Sequence, residues 1–156
     1  MQRFVFLIAA LAVLTGCGGP PTSDKVADAI RPAVASSLVI KGYEVPARYV
    51  ECDNLSITEI VPVGENDGGK VYRVSAGAEV KLLKSGDEIA EDLTKASWSG
   101  KFSPRDAIAL DHESAMVGLL IGDVKPGRYS FEFTAIIRDY DGNITVLEHE
   151  GRHPEF

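Results

Sequence analysis

Three histidines, two cysteines and 23 carboxylates are the residues of this chain that could do chemistry. The spacing that most resembles a reaction centre is His149-Glu150-Gly151-Arg152-His153. Two imidazoles four residues apart, with a glutamate beside the first, can hold a zinc ion and activate its water. They do so only on a helix, where residues i and i+4 share a face. The context opposes a helix: the preceding residues alternate like a strand, Gly151 weakens helix and Pro154 breaks it. The segment is therefore expected to be a solvated tail, and a metal-dependent hydrolase built on His149, Glu150 and His153 is the alternative it leaves open.

The other clusters are weaker. Asp111-His112-Glu113 places an imidazole between carboxylates, with Ser114 next in line. Neighbours on a strand or turn point in different directions, so convergence on one substrate is not expected. Asp139, Asp141 and Asn143 present alternating oxygen ligands around Gly142. A calcium loop would need a further ligand before the glycine and a glutamate beyond it, whereas Asp-Gly is what a tight hairpin needs. Cys52 has no obvious base beside it and reads as a small apolar side chain. No Gly-x-Ser-x-Gly elbow or glycine-rich phosphate loop occurs. The expectation is a protein that is not an enzyme, with no catalytic, cofactor-binding or metal-ligating residues.

The elements that would position these residues follow from hydrophobic period. Val26, Ile30, Val34 and Leu38 recur every four residues, predicting a helix over 24–39 with Thr22 or Ser23 as its cap and a kink or break at Pro32. From Leu55 onward the period shortens to two. Tyr72, Val74, Ala76, Ala78, Val80 and Leu82 fall on one face of a strand, with Gly77 on the other face as a candidate bulge. Lys84 to Lys95 reads as a charged connection with at most a helical turn. Ala96, Trp98, Gly100 and Phe102 alternate as a further strand, and the apolar run Ala115 to Ile121 reads as another. Tyr129, Phe131, Phe133, Ala135 and Ile137 point inward from a strand that turns at Asp141-Gly142-Asn143 into Ile144 to His149. The fold expected is α+β: an N-terminal helix packed on a curved antiparallel sheet of about five or six strands. Helix plus curved sheet resembles the cystatin-like and NTF2-like architectures, and that likeness implies a binding role for the sheet without naming a ligand.

The start of the chain is more specific than its interior. After Arg3 comes an unbroken apolar run, Phe4 to Leu14, then Thr15-Gly16-Cys17. Eleven apolar residues fall short of the roughly twenty that span a bilayer, so the run reads as an export signal. Leu14-Thr15-Gly16-Cys17 resembles the lipobox of bacterial lipoproteins. That resemblance implies cleavage after residue 16, a diacylglycerol on the Cys17 sulfur and a fatty acyl chain such as palmitate on its new amino group. Acyl chains contribute about 0.8 kcal/mol per buried methylene, enough for stable anchoring when there are two or more. Gly18-Gly19-Pro20-Pro21 begins a spacer over 17–23, leaving 24–156 as one domain. Gly rather than Asp at position 18 implies, within that resemblance, the outer membrane facing the periplasm.

With 16 basic and 23 acidic residues the net charge is -7, and loss of Arg3 with the leader takes it to -8. A negative surface repels phosphate, which excludes nucleic acid as a partner. The function expected is a membrane-anchored envelope lipoprotein whose domain is a non-catalytic binding module for an envelope protein or small apolar ligand. Its site would lie in a cleft between helix and sheet, and a structural subunit of an envelope assembly is the remaining option.

Overall fold

Alternation of apolar and polar side chains makes residues 69–82 a strand, and every other element is arranged on it. The computed structural model of the protein describes residues 19–152. Helix α1 (Ser23–Ala35) is followed by a small hairpin, β1 (Val39–Ile40) and β2 (Tyr43–Glu44). Two long strands, β3 (Val50–Asn66) and β4 (Gly69–Leu82), come next. A helical hairpin, α2 (Gly86–Ser97) and α3 (Pro104–Ile121), precedes β5 (Gly127–Tyr140) and β6 (Asn143–Arg152). The main sheet is an open antiparallel meander, β3-β4-β5-β6, and β1-β2 stands apart from it. This is an α+β fold.

Three hairpins turn on the same chemistry. Lys41-Gly42, Asp67-Gly68 and Asp141-Gly142 each join two strands through two residues with positive φ, at 49° and 77°, 50° and 79°, and 50° and 83°. Such a turn matches the natural twist of the strands, and glycine at its second position carries no steric cost there. In the last of these, Asp139 Oδ1 accepts the Gly142 N–H at 2.8 Å, so the would-be calcium ligand serves the turn.

Curvature comes from β3. Its register against β4 slips between Cys52 and Asn54, between Ile57 and Glu59, and between Pro62 and Gly64. Each slip adds one residue to β3, bends it and increases its twist. The inward residues Val50, Cys52, Leu55, Ile57 and Ile60 consequently step by two and three in turn, opposite Leu82, Val80, Ala78, Ala76 and Val74. Gly77, expected to mark a bulge, pairs in regular register with Ser56 and Glu132; the irregularities lie on the neighbouring strand. With this curl, α1 lies closest to the outer strands β3 and β6 rather than to the middle of the sheet.

The core sits between α1 and the concave face. Val26, Ile30 and Val34 of α1 and Leu38 just beyond it are fully buried, against Val74, Val80, Phe133, Ala135 and Ile137 from the sheet. α1 is one uninterrupted helix: Pro32 falls in its last turn and the helix ends at Ala35, short of the expected residue 39. Thr22 is the N-cap residue, but its side chain makes no capping bond.

Three expected elements are corrected. The connection at 84–95 is helix α2, opened by a capping box: Ser85 Oγ accepts the Glu88 N–H at 3.2 Å and the Glu88 carboxylate accepts the Ser85 N–H at 2.8 Å. Ile89 and Leu93, four apart, bury its inner face. The expected strand over 96–102 is the last turn of α2 and the loop after it. The expected strand over 115–121 is the second half of α3, which starts at Pro104 with Ser103 as its cap. The main sheet therefore has four strands rather than five or six.

Candidate binding sites

His149 lies on β6, so the zinc-type motif has lost the helix it requires. A second feature separates its members. The register of β6 against β5 slips at Leu147, with Val146 opposite Ile137 and Glu148 opposite Ile136. The extra residue switches which side chains face inward, from Ile144 and Val146 before it to His149 after it. His149 then pairs with the buried Ala135, whereas Glu150 pairs with the exposed Thr134 on the opposite face. An imidazole and carboxylate on opposite faces of a strand cannot share a metal-bound water. His153 lies outside the described residues. Among the described residues no group of three or more His, Cys, Asp or Glu side chains could hold a metal ion.

What His149 does instead is structural. Its Nδ1 lies 3.1 Å from Ser37 Oγ, and its ring stacks on Phe133 at 5.9 Å between centroids. Ser37 has one proton, and its 2.7 Å bond to the Ala33 carbonyl takes it. The Ser37 oxygen keeps lone pairs that can accept from a protonated Nδ1. The contact pins the last part of β6 to the chain just after α1.

Between α1 and β6 runs an open groove of about 520 Å³, walled by Ala29, Pro32 and Ala33 on the helix and by Ile144, Val146 and His149 on the strand. This is the helix–sheet cleft anticipated from the sequence, but it lies along the sheet's edge. The interior between α1 and the sheet is occupied by fully buried side chains such as Ile30, Val34 and Phe133.

The remaining sequence candidates disperse. Asp111, His112 and Glu113 lie on α3 rather than on a strand or turn, about 100° apart around its axis. Glu113 accepts the Tyr43 hydroxyl at 2.9 Å, and burial together with that bond pushes the Tyr43 phenol well above its ordinary range. Ser114 is buried between the two helices, donating to the Ala90 carbonyl at 2.7 Å and meeting Thr94 Oγ1 at 2.8 Å. Cys52 is half-buried on the inner side of β3, its thiol pushed up by burial against the opposing pull of Arg31. Cys17 lies outside the described residues.

The helical hairpin carries a surface the sequence reading missed. Trp98 is 80% exposed, Leu119 79% and Ile108 72%. Trp98, Ile108 and Asp111 line one shallow hollow, and Phe102 and Met116 are also exposed on the same hairpin. An α-helix with apolar residues around most of its circumference is normally covered on both sides. Among the described residues α3 is covered mainly on one side, where Val117 and Ile121 pack on α2, with β2 touching it through the Tyr43–Glu113 bond. The available signal was composition: over Ala107–Ile121 the apolar residues exceed what one buried stripe can use.

No protein-family model matches this chain, and no curated protein or solved structure matches it.

Proposed function

We propose that this protein is a lipid-anchored envelope lipoprotein whose domain is a non-catalytic protein-binding module. Lipid on Cys17 holds it to a membrane, and the α2–α3 hairpin presents Trp98, Ile108 and Leu119 to a partner protein. The observation that carries the reading is the exposure of those three side chains on one hairpin, at 80%, 72% and 79%. Large apolar side chains left in solvent mark candidate interaction sites, and tryptophan is prominent among the residues that dominate interface energy.

Placement supports it. The N-terminus of α1 lies beside the Asp141-Gly142 turn, where a side chain at Gly142 would approach Lys25. The hairpin α2–α3 leaves the sheet after Leu82 and rejoins it at Gly127, residues that pair at the other end of β4 and β5. At roughly 3.3 Å per residue, those strands separate the two ends by about 40 Å. The N-terminus of α1, where the tether would enter, and the root of the apolar hairpin thus belong to opposite ends of β4 and β5. Among the described residues no helix is long and apolar enough to cross a membrane.

The test is cross-linking and capture from cells producing the full-length protein. A protein recovered in stoichiometric amount by the native chain should be lost with Trp98→Ala/Leu119→Ser while membrane fractionation is unchanged. Cys17→Ser should release the folded domain from membranes. Undiminished capture by the double variant overturns the assignment of the hairpin, and membrane retention of Cys17→Ser overturns the anchor.

A further inference from the structure

The open sheet has two edges, and they are finished differently. β3 is interrupted by three register slips, contains Pro62 with no N–H to offer, and has its Cys52 carbonyl taken by the Arg31 guanidinium at 3.1 Å. These are the devices that keep an edge from pairing with another strand. β6 has one slip, at Leu147, and no proline.

The backbone of β6 can be followed outward from its turn. Across a two-residue turn the flanking pair, Tyr140 and Asn143, exchanges both hydrogen bonds, and pairs then alternate. Ile144 and Val146 therefore direct their N–H and C=O groups away from β5. The extra residue at Leu147 moves the alternation on by one, so His149 and Gly151 do the same beyond it. Beside that edge lies the groove to α1, whose wall is made of the small side chains Ala29, Pro32 and Ala33. On the other face Glu148 and Glu150 are exposed, and neither carboxylate has an ion-pair partner among the described residues.

We propose that β6 receives an extended segment of a partner protein as a fifth strand, with small apolar residues turned toward α1 alternating with lysine or arginine turned toward Glu148 and Glu150. Main-chain bonds to Ile144, Val146 and His149 would hold the segment, and the groove and the carboxylates would choose it. Cationic side chains beside the two glutamates form favourable cross-strand pairs, while carboxylates there repel. The same charge argument disfavours a second copy, because antiparallel pairing of β6 with itself brings these glutamates near one another. This surface is separate from the α2–α3 hairpin, so it stands or falls independently of the role given to Trp98.

The experiment uses the full-length protein in detergent micelles and a synthetic twelve-residue peptide of alternating lysine and valine. Amide exchange at Ile144, Val146 and His149 should slow at least tenfold on saturation, and a glutamate–valine peptide should have no such effect. Glu148→Lys/Glu150→Lys changes only exposed side chains and should reverse this preference, with Trp98→Ala/Leu119→Ser leaving it intact. Absence of protection at those three amides, or equal protection by both peptides in native and charge-reversed protein, overturns the proposal.

Discussion

Helices α1 and α3 begin from similar material and end in different situations. In α1, Val26, Ile30 and Val34 form one fully buried stripe, and Asp24, Lys25, Asp28 and Arg31 cover the other side. In α3, Val117 and Ile121 are equally buried, yet Ile108 and Leu119 stand in solvent on the opposite side. The large apolar side chains of α1 are accounted for by folding, and only the small Ala29, Pro32 and Ala33 face the open groove. In α3 large apolar side chains are left over, and that excess is what the hairpin can offer a partner.

The comparison can be broken most directly by alanine substitutions. Ile30→Ala and Ile121→Ala each delete a fully buried side chain and should each cost about 2–5 kcal/mol in denaturant unfolding. Leu119→Ala, two residues from Ile121, should stay within about 0.5 kcal/mol. A cost for Leu119→Ala comparable to that for Ile121→Ala would mean that α3 is covered on both sides, and the contrast with α1 would vanish.

Glycines sharpen it on a smaller scale. Gly86 opens α2 with its N–H bonded to the Val124 carbonyl at 2.9 Å, and a Cβ there would run into the Ile121 carbonyl. Gly86→Ala should therefore force the two helices apart and cost about 1–3 kcal/mol, as overpacking does. Gly118, on the exposed side of α3, would meet only the Ala90 methyl at 4.0 Å. Gly118→Ala should raise thermal stability, by up to about 1 kcal/mol, because alanine is the better helix former. Opposite signs for two glycines of one hairpin are the expected result, and matching signs would contradict the packing described.

How far the sequence could be read follows the same division. β4 and β5 alternate without interruption because both lie in regular register, and their inward residues were legible in full. α1 was legible because its single stripe is clean. β3 was blurred by its three inserted residues, which shift its inward positions, and β6 by Leu147, which put His149 and Glu150 on faces that spacing alone does not reveal. α2 and α3 were misread for opposite reasons. The charged face of α2 made it resemble a loop despite Ser85 and Glu88 at capping-box spacing. The apolar residues on both sides of α3 made Ala115 to Ile121 resemble a buried strand, and the chance alternation around Trp98 supplied another. The groove beside α1 was anticipated in kind, but the exposure of Trp98 and Leu119 depends on what the rest of the fold leaves uncovered.

The smallest effect tests the start of that hairpin through pH. The Ser85 N–H and hydroxyl both bond to Glu88, and these bonds hold the Glu88 carboxyl below its ordinary value. A carboxyl depressed by folding adds stability above its unfolded value, and that contribution is lost as pH falls through the folded one. Ser85→Ala removes the hydroxyl and the cap, so α2 should lose about 1 kcal/mol at neutral pH. The Glu88 carboxyl should move back toward its ordinary value in a carbon-detected NMR titration. Because α3 is capped separately by Ser103, whose hydroxyl accepts the Asp106 N–H at 3.3 Å, amide protection should fall first in α2. A loss that appeared equally in α1 would show that the hairpin and the sheet domain unfold as one unit, and that the two helices differ only in what they leave exposed.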